Sequence, residues 1–402
     1  MSRASLRLFL SNAKRHVSQC LSGGGEHHLS FVIGNQSADL DSITCALVYG
    51  YLQSFTAQTA KTQGYIIPIT NIPSRDLRLR PELTALLKNV NLKPSDLITL
   101  DDLGNLHESL PSDRTDWTLV DHNALLGELG KHYSKRVKAV IDHHDDEKAV
   151  PQDASPRIIE KSGSCCSLVV NSFRNVWDSA STSSTDTRTG DIEPEEADAQ
   201  VALLSLGPIL IDTVNLRSED KTTPHDRQAV DYLESKINSS RKLHQTYERD
   251  AFYNQLNDAK SNLDALTLPE ILEKDYKEWH EGDLTLGISS SVKSIKYLMD
   301  KDANFTNVLL EFAKGKKLDL FAVMTAHNES DSFARQLLLL AVSENKAIDV
   351  AEKFVTANQG DLKLEENDPG LEASGSKWIK IWQQGNLAAS RKKVAPALRK
   401  VM

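Results

Sequence analysis

VIDHHDD at residues 140–146 joins a short β-branched apolar run to two histidines and three aspartates. The run, AVI at 139–141, has the pattern of a strand buried on both faces of a parallel sheet, and the polar residues begin where that strand stops. The same junction occurs twice more. FVIG at 31–34 leads into GNQSADLDS at 34–42, and TLV at 118–120 leads into DHN at 121–123. In open α/β sheets, ligands collect just beyond the carboxyl ends of strands, where loops distant in sequence can meet. A fourth segment, ILIDT at 209–213, differs, because GPILIDT closes a helix that begins near Glu195.

These segments supply Asp39, Asp41, Asp121, His143 and Asp212. Carboxylate oxygens and imidazole are the ligands that a pair of divalent cations requires. Four aspartates converging on one place cannot all stay ionised unless something offsets their charge. Two divalent cations would balance that set, clamp a water between them and lower its pKa. Such a site explains a nucleophile without a catalytic Ser or Cys, and hydrolysis of a phosphate ester or anhydride is the leading chemistry.

GN-x-x-ADLDSI, DHN, DHH and DT, in this order, resemble the DHH phosphoesterase superfamily, and the resemblance spans nearly the whole chain. It implies an N-terminal parallel-sheet DHH domain, a smaller mixed α/β DHH-associated domain, and an active site in the cleft between them. SRKKVAPALRK at 390–400 and KDYKEW at 274–279 resemble the phosphate-binding segments of the second domain shared by cytosolic exopolyphosphatases and family II inorganic pyrophosphatases. Residue by residue, the resemblance assigns Asn35 and Asp39 to one metal and Asp41, His143 and Asp212 to the other, with Asp121 as the bridge. His144 faces substrate, while Asp142, His122 and Asn123 orient ligands. Lys277, Arg391 and Lys392 hold phosphate oxygens.

Asn35 stands where family II pyrophosphatases carry histidine. An amide is a weaker ligand than imidazole for Mn²⁺ or Co²⁺, so oxygen-preferring Mg²⁺ is favoured at that site. Asn with ADLDS, together with an intact DHH, places the chain nearest the exopolyphosphatases. The function expected is metal-dependent hydrolysis of the terminal phosphoanhydride of inorganic polyphosphate, with two divalent ions (Mg, Mn or Co) and release of orthophosphate. Pyrophosphatase and a prune-like or oligonucleotide phosphodiesterase are the alternatives. Aromatics are only 6% and none lies inside the four motifs, so base stacking and a nucleic-acid partner are not expected. With a net charge of −9, the chain needs local Lys and Arg to hold a polyanion, and SRKKVAPALRK is that concentration. RDLRLRPE at 75–82 and KGKK at 314–317 could guide a longer chain, but solvated surface is the ordinary reading of such runs.

The 402 residues suffice for two domains, expected at 1–225 and 226–402. Residues 178–198, rich in Ser, Thr and acid, are expected to form a mobile insertion. SITCALVYGYLQSF at 42–55 reads as a buried helix capped by Ser42. RQLLLLAVSENKAIDVAEKFVTA at 335–357 has helical periodicity with a break near Asn345, and LDLFAVMTA at 318–326 reads as a strand. His327 and Arg335, just beyond that strand, face substrate or belong to a polar loop.

SGSCCS at 162–167 caps the helix after the strand RIIE. The four cysteines show no CxxC spacing and indicate a reducing compartment rather than a disulfide framework. No run approaches the roughly 18 apolar residues of a membrane span. A soluble, cytoplasmic monomer is expected. The acid-free first twenty residues fit either a structural helix or a mitochondrial transit segment.

Overall fold

A computed structural model describes residues 4–22, 28–59, 66–182, 191–329, 332–342, 346–367 and 378–402. The chain forms two compact units, Met1–Lys260 and Ser261–Met402.

The first unit is built on a five-stranded parallel sheet in the order β2-β1-β3-β4-β5: β1 is Leu29–Ile33, β2 Ile66–Ile69, β3 Thr115–Val120, β4 Val137–Asp142 and β5 Arg157–Ile159. The apolar runs quoted above are its central strands, and their side chains are almost wholly buried. Register aligns Ile33 with Leu119 and Val120 with Ile141, so the three motif loops leave the sheet at one end. Helix α1 (Leu6–Ser22) buries Leu6, Phe9, Leu10, Ala13, Val17 and Cys20, the face that its apolar spacing marks out. Helices α2 (Leu40–Thr59), α3 (Cys165–Thr182), α4 (Pro194–Asp212) and α5 (Pro224–Ser239) share one apolar core with the sheet. α4 is buried on nearly all sides. Leu203, Leu204, Leu206, Ile209 and Leu210 together contribute about 10 kcal/mol of gross burial energy before chain entropy is subtracted.

The compact units divide at Lys260/Ser261, not at 225/226. The reason is that α5 and the following helix α6 (Arg249–Ser261) bury Val230, Leu233, Ile237, Phe252 and Leu256 in the first core. Of the stretch expected as a mobile insertion, 183–190 lies outside the described residues. Asp178–Thr182 completes α3, and Pro194 already opens α4.

The second unit holds a six-stranded mixed sheet in the order β12-β13-β11-β8-β7-β6: β6 is Tyr276–Glu281, β7 Leu284–Ser291, β8 Leu320–Thr325, β11 Gln336–Ala341, β12 Leu364–Glu366 and β13 Trp378–Gln384. A separate hairpin pairs β9 (His327–Glu329) with β10 (Ser332–Ala334). Helices α7 (Phe305–Gly315), α8 (Lys346–Leu362) and α9 (Arg391–Arg399) belong to this unit, together with two shorter helices at Leu268–Lys274 and Ile295–Lys301. The helical expectation for 335–357 holds only for its second half. QLLLLA is strand β11, buried on both faces between β8 and β13. A short continuous apolar run carries no period that separates a buried strand from a buried helix. No described helix is long and apolar enough to cross a membrane.

Candidate metal centre

The loop after β1 turns at once into α2. Asp39 Oδ1 accepts the Ser42 N–H at 2.9 Å, so Asp39 rather than Ser42 caps this helix. Gly34 is required by packing, since a Cβ there would meet Ser42 O at 2.6 Å. Ala38 and Asp121 both take left-handed backbone angles, with φ of 44° and 60°. Unfavourable backbone at two motif loops persists because the surroundings fix it. For the first loop that support comes from Arg80, a buried side chain donating to Ala38 O at 3.0 Å and to Ser37 O. Arg80 belongs to RDLRLRPE, which the sequence left as surface or as a guide for substrate. Lys316 of KGKK pairs with Glu273 at 2.7 Å in the second unit.

Asp121 stands at the centre of the site and is buried. Its Oδ2 accepts from Asn35 Nδ2 at 2.8 Å and from Ser42 Oγ. Asn35 Oδ1 accepts both the Ser37 N–H at 2.9 Å and the Ser37 hydroxyl. Turning the amide over would set its oxygen against a carboxylate and its NH₂ against an N–H, so hydrogen bonding fixes this orientation. As folded, Asn35 orients Asp121 and spends its oxygen on Ser37.

His143 Nδ1 lies 3.0 Å from Ser162 O, which places the ring hydrogen there and leaves Nε2 as an acceptor. That nitrogen lies 3.2 Å from Asp121 Oδ1. Two acceptors so close coexist only with a proton or a cation between them. His144 Nδ1 binds Asp142 Oδ1 at 2.8 Å, which turns its Nε2 outward. Asp142 also accepts the His143 and His144 N–H groups and Asn123 Nδ2 at 2.6 Å. Burial opposes its charge, yet these bonds hold its pKa down at about 2. His122 Nδ1 is tied to Val120 O at 2.9 Å.

Asp41 Oδ1 accepts from Ser164 Oγ at 2.7 Å and Cys166 N at 3.0 Å, and its Oδ2 accepts from Cys165 N at 2.7 Å. Thus SGSCCS caps α3 with a carboxylate from another helix. Gly163 fits only without a side chain, because a Cβ would come within 2.6 Å of Thr213. The segment is held in turn by Asp226, buried at the start of α5, which accepts from Gly163 N, Ser164 N, Ser167 Oγ and both the N–H and the hydroxyl of Thr223. Sequence reasoning passed over Asp226; its signal was the capping pattern Thr223-x-x-Asp226. Beyond Asp212 the chain turns through three successive left-handed residues, Val214, Asn215 and Leu216.

Electrostatics tie the set together. Burial and the charges of Asp121 and Asp39 raise the Asp41 pKa, and burial and Asp41 raise that of Asp212 well above the carboxylate range. Burial also opposes charge at Asp121, but His143, His144 and the Ser42 hydroxyl together offset it and hold that pKa low. Donor atoms of Asp121, His143 and His144 lie within 4.8 Å of one another. Carboxylates crowded enough to repel, beside an imidazole nitrogen turned to them as an acceptor, fit a divalent cation site. Asp41, Cys45 and Cys166 are grouped as tightly, but burial raises both thiol pKa values, so the sulfurs stay protonated and Cys45 donates to Asp41 at 3.4 Å.

The structure therefore brings Asn35, Asp39, Asp41, Asp121, Asp142, His143, His144 and Asp212 into one hydrogen-bonded and electrostatic group. Lys277, Arg391 and Lys392 belong to the second unit. Lys277 lies on β6, Arg391 opens α9 with bonds to Asp275 O at 2.9 Å and Asp275 Oδ1 at 2.7 Å, and Lys392 is exposed.

Comparison with known proteins agrees with this division. The model of the DHH family, N-terminal domain, matches residues 30–203, and that of the DHHA2 domain matches 254–401. A Schizosaccharomyces pombe protein described as a candidate exopolyphosphatase is 33% identical over 97% of this chain and 96% of its own length. The Homo sapiens protein named exopolyphosphatase PRUNE1 is 27% identical over 93% of this chain and 76% of its own. Among solved structures, a Methanococcus jannaschii protein described as a candidate family II inorganic pyrophosphatase superposes with a TM-score of 0.56 at 19% identity, covering 93% of this chain and 99% of that one. This last likeness is one of fold.

Proposed function

The chain belongs to the DHH family and carries a DHHA2 domain, and on that premise we propose that it is an exopolyphosphatase, a hydrolase that cleaves the terminal phosphoanhydride of inorganic polyphosphate and releases orthophosphate. The observation that carries this reading is the convergence of Asp39, Asp41, Asp121, His143 and Asp212 in a chain similar along its whole length to an exopolyphosphatase relative.

Those five residues would hold two divalent cations. When bound, such ions activate water and neutralise charge on the phosphoryl group. The protein's own part is positional. Ser162 O fixes the His143 tautomer, so that Nε2 is presented as a ligand, and Asn35 and Ser42 hold the Asp121 carboxylate in one orientation. Asp142 fixes the His144 ring and leaves its outward nitrogen for a phosphoryl oxygen. Lys277, Arg391 and Lys392 bind substrate oxygens and stabilise charge moving to the leaving phosphate. No membrane-spanning helix is described, and the cytoplasm is the proposed location.

The test is phosphate release from long polyphosphate, tripolyphosphate and pyrophosphate in parallel, with Mg²⁺, Mn²⁺ or Co²⁺, beside an Asp121→Ala control. Release from polyphosphate that the substitution abolishes supports the proposal. Preference for pyrophosphate, or silence on all three, overturns it.

A further inference from the structure

Helix α4 ends on Asp212, and the turn that follows it is sterically costly. Thr213 is the C-cap. Val214, at φ 53°, takes the left-handed position that glycine ordinarily fills after a helix, and the Asn215 N–H closes the cap on Leu210 O at 2.7 Å. Asn215 and Leu216 continue left-handed at φ 57° and 62°. Asparagine tolerates this region, whereas valine, being β-branched, fits it poorly. Three such residues in succession persist only where the surroundings over-determine them.

The bonds within the turn run through Thr213. Its hydroxyl donates to Ile209 O at 2.6 Å and accepts the Leu216 N–H at 3.0 Å, while its carbonyl accepts the Ser218 N–H at 3.1 Å. Asn215 ties the turn to another element. The side chain is 6% exposed, and Nδ2 donates to Asp250 Oδ1, which also accepts from Arg217 Nη2 at 2.8 Å. Asn215 Oδ1 has no hydrogen-bond partner among the described residues, and turning the amide over would set that oxygen against the carboxylate, so the bond to Asp250 fixes its orientation. Asp250 lies in the first turn of α6, which buries Phe252, Tyr253 and Leu256. Leu256 packs where α4 has a glycine, since a Cβ at Gly207 would come within 3.3 Å of Leu256 Cδ1. α6 therefore grips α4 at two points, Gly207 before Asp212 and Asn215 after it.

An aspartate in the last turn of a helix faces the negative end of the helix dipole, so α4 by itself opposes an ionised carboxylate at that place. We propose that Asn215 and Asp250 are positioning residues for Asp212, fixing the end of α4 so that this carboxylate meets the cation it shares with Asp41 and His143. The inference rests on the two-cation reading of the metal centre and deepens it, because it makes affinity for one of the two ions depend on residues that touch neither.

The experiment is Mn²⁺ binding to the full chain, followed by the electron paramagnetic resonance signal of the free ion. It compares wild type, Asn215→Asp, Asp250→Ala, the exchanged pair Asn215→Asp with Asp250→Asn, and Asp250→Ala in an Asp212→Asn background. Removing a group that orients a metal ligand lowers metal affinity about ten- to a hundredfold, so Asn215→Asp and Asp250→Ala should each weaken one Mn²⁺ by at least about tenfold and leave the other within about twofold. The exchanged pair should recover most of the loss, because carboxylate and amide trade roles. In the Asp212→Asn background, Asp250→Ala should change Mn²⁺ binding by less than about twofold, since an effect carried through Asp212 disappears with it. Asp250 is more than half exposed, so metal-free Asp250→Ala should melt within about 4 °C of wild type. Unchanged Mn²⁺ affinity in Asp250→Ala, equal weakening of both ions, or the same loss without Asp212 overturns the assignment, and a wild type that binds no Mn²⁺ overturns it together with the two-cation reading. If Asp250→Ala weakens one ion as stated yet wild type releases no phosphate from polyphosphate, the positioning role stands and the exopolyphosphatase reading fails. If phosphate is released and Mn²⁺ binding ignores Asp250, the reverse holds.

Discussion

Replacing Arg80 with methionine tests whether the first motif loop is held from outside. The guanidinium donates to Ala38 O at 3.0 Å and to Ser37 O, it is 4% exposed, and the loop it braces contains a non-glycine residue at φ 44°. Hydrogen bonds from a charged donor contribute about 1.5–3 kcal/mol each, and two are lost. Removing a buried cation also returns some desolvation energy, so about 3 kcal/mol is the net loss we expect. For a unit of this size that corresponds to a fall of roughly 6–12 °C in melting temperature. Calorimetry on wild type, Arg80→Met and Arg80→Lys measures it, and the lysine variant should fall between the other two. Because Asp39 rides on the same loop, kcat/KM with polyphosphate should drop by about a hundredfold from misplacement alone. An Arg80→Met protein that melts within about 2 °C of wild type and retains full activity would refute the brace, since it would mean that the loop holds its own shape.

Asp121→Asn should abolish turnover and also the thermal stabilisation that Mn²⁺ gives the wild type, about 2.7 kcal/mol at a hundred times the dissociation constant; an unchanged Mn²⁺ shift would remove Asp121 from the metal centre. Asp226→Ala leaves the Gly163, Ser164 and Thr223 N–H groups without their acceptor, which should cost more than about 3 kcal/mol in urea unfolding, and a loss under about 1 kcal/mol would contradict the assigned network. Glu234 is buried against charge, but bonds from Arg249 and Tyr247 lower its pKa below the ordinary value. The stability it contributes is therefore complete above its unfolded pKa and is lost as pH falls through the lower, folded one. The gap between wild type and Glu234→Gln should be full at neutral pH and close as pH falls below the ordinary glutamate range, and a gap that widens on acidification would reverse the sign.

The parallel sheet and the acidic strand ends were legible because each motif couples a β-branched run to polar residues at its end, so strand and site share one signal. The ends of β1, β3 and β4 fall where FVIG, TLV and AVI place them. What local pattern could not carry is the support. Arg80 sits in a basic stretch that resembles surface, and only the fold shows the carbonyls it meets. Asn35 could be named at its position, but whether its oxygen or its NH₂ faced Asp121 depended on Ser37 and on a loop more than eighty residues away. Strand β11 was taken for helix because five apolar residues buried on both faces carry no period at all.

Asp41 caps the N-terminus of α3 through Ser164, Cys165 and Cys166 while standing among the carboxylates proposed to hold metal. One side chain thereby answers to two selective demands, and drift at position 41 cannot relax catalysis without also unseating a helix. A descendant that abandoned the chemistry but kept the fold would retain Asp41, and Asp39 as the cap of α2, after Asp121 or Asp212 had changed. An aspartate at this position is therefore a poor witness to activity, and the ligands that serve no helix are the ones whose loss would record retirement of the site.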